Sequence, residues 1–167
     1  MANGAAMAVE SGGWASAKVA VQEHDGGRAL VAVAAIDAGE RVLGLSRVFV
    51  AERGRYTIQL DEARHQAGTG EADDFMNHSC APNVRLDVEA LEAVALRPIA
   101  AGELVTFHYL TTEWEMAEPF ACRCGAPGCL GTLRGFRYLG PAARRALAPL
   151  LSPFLRGHLE RGDGDAG

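Results

Sequence analysis

The chain has 167 residues, 49% of them apolar, enough for one domain with a real core but with no run long enough to cross a membrane. Its formal net charge is -5, and Lys18 is the only lysine among 16 basic residues, which argues against a nucleic-acid surface and suits a basic protein partner. The N-terminal stretch lacks the basic and apolar regions of a secretory signal, so a soluble intracellular protein is expected, cytoplasmic in a bacterium or nuclear in a eukaryote.

Met1–Gly13 is small and Gly/Ala-rich and reads as a flexible arm, with the folded body starting at Lys18. Short β-like runs follow at Val19/Val21, Ala29–Val33, Arg41–Leu45, Val48–Ala51 and Tyr56–Leu60, punctuated by Gly, Asp and Arg. Their β-branched residues favour a pleated surface. Residues 61–76 read as a polar loop ending in a short turn at Asp73–Met76. Strands are expected again at Asn83–Val88, Leu91–Leu96 and Leu104–Tyr109, with a turn over Pro98–Gly102. Thr132–Leu139 is short and mixed. Pro141 then opens a helix over Ala142–Leu151, and the acidic tail Arg161–Gly167 reads as frayed. Ile36-Asp-Ala-Gly39-Glu40 is echoed by Ile99-Ala-Ala-Gly102-Glu103, two similar hairpin turns. Many short strands and few helices predict a mainly-β domain with a short C-terminal helix.

The four cysteines fall in two motifs. One is Asn77-His78-Ser79-Cys80-Ala81-Pro82-Asn83. The other is the triplet Cys122, Cys124 and Cys129, and Glu103-Leu104-x-x-Phe107-x-Tyr109 lies between them. Cys122 and Cys124 are too close to pair easily with each other. A single tetrahedral four-thiolate zinc site accounts for all four, with two disulfides or buried thiols as the competing readings. Such a closed site has no open position, so the zinc, one per chain, is structural. Phe120–Gly131 holds too few apolar residues to order itself without metal. Asn77 alone reads as a cap and His78 alone as a core histidine. Pro82 fixes one dihedral, and Asn83 is placed to close an Asx-type turn.

Together and in this order the motifs resemble those of SET-domain protein-lysine methyltransferases with a post-SET zinc segment, over roughly Lys18 to Leu139. The resemblance implies a β-clip fold with a pseudoknot, in which Asn77–Asn83 threads beneath the loop near Tyr109. It implies a flexible arm over 1–17, a SET catalytic domain over 18–116, a zinc segment over 117–139 and a C-terminal helix and tail over 140–167. It also implies S-adenosylmethionine as cofactor, held by Asn77 and His78. An early Gly-x-Gly segment would add a second contact; here it reads Gly27-Arg28-Ala29, with Ala29 in the second glycine's place. Phe136 is a candidate to pack on the adenine, a plain core aromatic being the alternative.

Tyr109 is the implied catalytic residue, orienting the amine rather than acting as a strong base. Phe107 lacks a hydroxyl at the position that sets product multiplicity and favours di- or trimethylation. Tyr56 matches the family's other channel tyrosine loosely and is otherwise a strand residue. His108 stands where the family often has Asp. The implied reaction is methylation of a lysine ε-amine in a basic protein or peptide, a histone tail or a non-histone substrate, with no direct nucleic acid or membrane partner. The alternative is a catalytically inactive SET-like zinc-containing binding module, which Ala29 and His108 keep open and Asn77, His78 and Tyr109 oppose. A zinc-stabilised interaction domain unrelated to methyl transfer would bind zinc and no cofactor.

Overall fold

Closely spaced turns between valine-rich runs permit only short strands. The computed structural model, which describes residues 12–162, accordingly shows small sheets in place of one large one. Strand β1 (Trp14–Ala15) precedes a hairpin of β2 (Val19–His24) and β3 (Gly27–Ala32). β4 (Arg41–Gly44) follows, then three two-residue strands, β5 (Phe49–Val50), β6 (Ile58–Gln59) and β7 (His65–Gln66), in the order β5-β7-β6. β8 (Asn77–His78), the hairpin β9 (Val84–Asp87) and β10 (Glu92–Ala95), and β11 (Thr106–Phe107) form the centre. β12 (Phe120–Ala121) and β13 (Thr132–Leu133) bracket the cysteine triplet. Two helices, α1 (Pro141–Leu147) and α2 (Pro153–Arg161), close the described chain. Neither helix is long and apolar enough to cross a membrane.

The expected β-rich class is therefore observed, with local differences. Residues 1–11 of the expected arm lie outside the described residues, but Trp14–Ala15 pairs with β4 at the edge of the β1-β4-β10-β9 sheet. The expected loop over 61–76 contains β7. The expected strand over 104–109 ends at Phe107, and Tyr109–Thr111 is a single 3-10 turn. The expected helix over 142–151 stops at Leu147, a short 3-10 turn containing Pro149 follows, and α2 is additional. Its signals were Ser152, whose hydroxyl accepts the Leu155 N–H at 3.3 Å, Pro153 in the first turn, and Gly162 in the left-handed cap. Of the tail expected to fray, Arg161 ends α2 and residues 163–167 lie outside the described residues.

The sequence echo has a structural counterpart. Ile36 and Ile99 exchange both backbone hydrogen bonds at 2.9 Å. The Gly39 N–H donates to the Ala95 carbonyl and the Gly102 N–H to the Ala32 carbonyl, at 2.8 and 2.7 Å. Ala95 and Ala32 return the favour to the Glu40 and Glu103 carbonyls, each at 2.9 Å. The two turns thus clasp one another about a local pseudo-dyad, and both glycines need positive φ, 85° and 94°.

The crossing expected for 77–83 is present. β8 runs parallel to β11, Asn77 facing Thr106 and His78 facing Phe107. The Asn83 N–H donates to the Thr106 carbonyl at 3.1 Å. The side chain of Asn83, 2% exposed, does not form the expected local turn. It donates to the Leu104 carbonyl at 2.7 Å and accepts the Thr106 N–H at 2.8 Å, taking the place of a missing strand. One apolar cluster, including Leu30, Val42, Leu43 and Val84, comes from the strands of this body, and a second, C-terminal one is built on Leu110, Leu133, Phe136 and Leu155.

Replacing Asn83 by Ala strands the half-buried Leu104 carbonyl and the buried Thr106 N–H. We expect a loss of roughly 2–4 kcal/mol in urea unfolding. A loss below about 0.5 kcal/mol would show that the lacing carries little stability.

Candidate active site

Short strands leave their ends at the surface, and several ends meet in one cleft of about 1370 Å³. Its lining includes Asn77, His78, Phe107 and Tyr109 from the β8–β11 crossing, together with Gly27 and Arg28 from the first hairpin. The Tyr109 hydroxyl donates to the Met76 carbonyl at 2.9 Å. Burial pushes its pKa up to about 12, so it stays protonated at neutral pH. With its hydrogen held by Met76, the oxygen keeps lone pairs for an incoming donor. Phe107 lies beside it at 4.7 Å between ring centroids, and Phe120 at 6.0 Å.

His78 links this tyrosine to the cysteines. Its Nδ1 accepts the Tyr109 backbone N–H at 3.1 Å, so a neutral ring carries its proton on Nε2. Nε2 lies 3.2 Å from Cys80 Sγ and is the donor in that contact. Burial, then the neighbouring His108, pushes the His78 pKa down to about 3. His108, 2% exposed, accepts the Leu110 N–H at Nδ1, at 3.2 Å, and caps the 3-10 turn after β11. Burial lowers it to about 4. It fills with a neutral ring the capping position that Asp fills well through its oxygen.

The other expected site residues divide. Arg28 stands over the Phe75 ring at 4.5 Å on the cleft wall. Ala29 is 1% exposed inside β3 and is not among the residues that line the cleft. Tyr56 sits on a turn ahead of β6, not in a strand, and lines the cleft while 54% exposed. Phe136 is fully buried in the C-terminal cluster and is not among the residues that line the cleft. Its neighbour explains why. A Cβ on Gly135, at φ 146°, would collide with the Trp114 carbonyl, and the close approach lets the Phe136 N–H reach the Glu113 carbonyl at 2.9 Å. Phe120, two residues before Cys122, does line the cleft, with Tyr56, Phe75, Phe107 and Tyr109.

Glu113 gave no sequence signal. Its Oε2 accepts the Gln59 N–H at 3.0 Å and the Thr112 hydroxyl at 2.7 Å, while Gln59 Oε1 accepts the Trp114 N–H at 3.0 Å. The pair staples β6 to the segment after Tyr109. Burial pushes the Glu113 pKa up to about 7.

The four cysteines converge as expected. Their sulfurs all lie within 4.8 Å of one another, Cys80 and Cys122 at 3.9 Å, and none is in a disulfide. A tetrahedral zinc with bonds of about 2.3 Å separates its sulfurs by roughly 3.8 Å, so the set fits the ion. The Leu130 N–H points at Cys80 Sγ from 3.4 Å, a typical support for a thiolate ligand. Burial raises the Cys80 and Cys122 thiols, while backbone hydrogen bonds at Cys80 and Ala126 lower Cys124. A coordinated ion overrides the burial cost, because a ligating thiol is deprotonated outright.

Residues 27–110, just over half of the chain, match the SET domain family, and the chain belongs to it. It is 41% identical over 63 residues to the methyltransferase flvH of Aspergillus flavus, covering 36% of this chain and 35% of that protein. It is 36% identical over 87 residues to an H3 lysine-4-specific histone-lysine N-methyltransferase of Debaryomyces hansenii, covering 47% of this chain and 8% of that one. The fold is similar to that of KRYPTONITE in complex with mCHG DNA and SAH, with a TM-score of 0.54 and 25% identity over 66% of this chain and 27% of that one. A second KRYPTONITE structure, with mCHH DNA, an H3(1-15) peptide and SAH, has a similar fold, with a TM-score of 0.54 and 23% identity over 69% of this chain and 29% of that one. The chain spans about a third or less of the length of the curated relatives described.

Two outcomes follow from this geometry. Cys124→Ser should lose the bound zinc and the order of residues 120–131, read by metal analysis and amide exchange; unchanged metal content would break the four-thiolate assignment. The raised Glu113 pKa has a definite sign in stability. Above its ordinary value of 4.5 the unfolded chain gives up this proton while the folded chain keeps it up to about 7, so stability falls over that window as pH rises. Glu113→Gln removes the cost, and between about pH 4.5 and pH 8 the variant should gain on the order of 2–3 kcal/mol over wild type in urea unfolding. A pH-independent difference would show that Glu113 titrates normally.

Proposed function

We propose that the cleft holds S-adenosylmethionine together with a lysine side chain of a basic protein, and that the chain methylates the lysine ε-amine. The observation that carries this reading is the convergence of Asn77, His78, Phe107 and Tyr109 on one cleft around the β8–β11 crossing. The SAH and H3 peptide in the KRYPTONITE structures and the H3 specificity named for the Debaryomyces hansenii enzyme support a histone tail or a similar lysine-rich segment as the substrate class. The excess of acid over base in the chain suits such a partner.

In this reading residues 18–116 form the catalytic body, 117–139 the zinc segment, and 140–167 the closing helices and tail. Cys80, Cys122, Cys124 and Cys129 hold one structural zinc. Asn77, His78, Gly27 and Arg28 hold the cofactor, which supplies a methyl group on a positively charged sulfur.

The chain's own residues must then deliver a neutral amine in line. A lysine with a pKa near 10.4 is neutral in only about 1 in 10³ molecules at pH 7, a cost of about 4 kcal/mol. The rings of Phe107, Phe120 and Tyr109 dry the approach and disfavour the ammonium form. The Tyr109 oxygen accepts an amine N–H and aims the nitrogen. A hydroxyl with its pKa near 12 orients the amine and does not abstract its proton. Phe107 leaves apolar space beside that oxygen, which favours di- or trimethylated products. Ala29 and His108, the departures that favour an inactive binding module, are buried scaffold residues, so neither removes a group from the cleft.

Tyr109→Phe should slow methyl transfer to a lysine peptide by roughly 100-fold or more, with S-adenosylhomocysteine affinity in calorimetry unchanged. Near-normal turnover would remove Tyr109 from this role.

A further inference from the structure

We propose that Glu113 is the cation-accepting residue of the cleft and that its carboxylate binds the ammonium group of the incoming lysine. The inference rests on the methyl-transfer reading for the identity of that cation.

Glu113 is held by one oxygen only. Oε2 takes both hydrogen bonds, from Gln59 and Thr112, which fix the carboxylate in place. Oε1 has no hydrogen-bond partner among the described residues, and it is not sealed in the core. The residue lines the cleft. Its backbone N–H donates to the Tyr109 carbonyl at 3.1 Å, so the residue closes the turn that Tyr109 opens, and both line the cleft.

No basic side chain among the described residues lies within 4 Å of this carboxylate. Arg53 is the cation whose field reaches it, yet the Arg53 guanidinium is bound to Glu115 at 3.3 Å. Arg55 is turned towards Glu118, at 3.9 Å. A carboxylate withdrawn from water without a counterion is costly, and the raised pKa of Glu113 reports that cost. An arriving ammonium would restore the missing partner in a poorly screened site, where the attraction is strong. The surroundings favour the same sign of ligand, since the cleft lining carries seven carboxylates against four arginines. A merely structural staple needs Oε2 alone. The open oxygen, the lack of a counterion among the described residues and the place in the same cleft as Tyr109 together assign a ligand-binding role.

The test is calorimetry on the zinc-loaded protein saturated with S-adenosylhomocysteine. The probes are an H3(1-15) peptide and the same peptide with its lysines replaced by norleucine, which keeps the chain and removes the charge. Wild type should bind the lysine peptide at least about 10-fold more tightly than the norleucine peptide. Glu113→Gln, whose amide oxygen can still accept from Gln59 and Thr112, should bring that ratio close to one while leaving S-adenosylhomocysteine affinity unchanged. Equal affinity of wild type for both peptides overturns the assignment, as does a wild-type ratio retained in Glu113→Gln. The ratio is read without turnover. Lost discrimination in the variant, alongside no methyl transfer by wild type, would sink the catalytic reading and leave the cation site standing.

Discussion

Everything in the cleft depends on the lacing of residues 77–83 through 104–109. Two-residue strands in parallel make few hydrogen bonds and would not hold a crossing by themselves. Asn83 supplies the missing rungs with its side chain, and Tyr109 ties its hydroxyl back to Met76 at the other end. The same bonds that stabilise the crossing therefore aim the groups that the cleft presents. The Tyr109 hydroxyl ties the crossing by donating its hydrogen to the Met76 carbonyl, which leaves its oxygen lone pairs free in the cleft.

The β8–β11 crossing itself carries no charge. His78 and, behind it, His108 are neutral through burial, and Tyr109 keeps its proton. The charged groups of the cleft, Glu113 among them, come from the elements around the crossing. His78 adds a mechanical link, because its two ring nitrogens join the Tyr109 backbone to Cys80. Order in the zinc loop and placement of the tyrosine are then coupled through one imidazole. A metal held by the four cysteines would act on the cleft through positioning alone.

Around this crossing the scaffold is built from small repeated devices. The clasped turns at Gly39 and Gly102 close the body about a pseudo-dyad, and the buried trio Ser46, Gln66 and Asp73 ties β7 and the turn before Asn77 together. In that trio Gln66 donates to Asp73 at 2.8 Å and the Ser46 N–H donates to the same carboxylate oxygen at 3.1 Å. Each device joins residues far apart in sequence. Short strands with little pairing of their own require such ties.

What was legible in the sequence was whatever is written locally. The four cysteines, the Asn77–Asn83 motif and the Phe107-x-Tyr109 pair specify chemistry through residue type and spacing, and the structure brings them to one place. The turns at Gly39 and Gly102 were legible because glycine at positive φ leaves a signature. Only the tertiary structure decided the rest. Phe136 is a core residue and Phe120 a cleft residue, although both are aromatics near the zinc segment, because the close approach at Gly135 turns one inward. Asn83 acts over a distance of some twenty residues, which local turn preferences cannot reveal. Glu113 looked like any surface glutamate. What sets it apart is desolvation and the lack of a counterion among the described residues, and both are properties of what the fold places around a carboxylate and of no residue pattern along the chain.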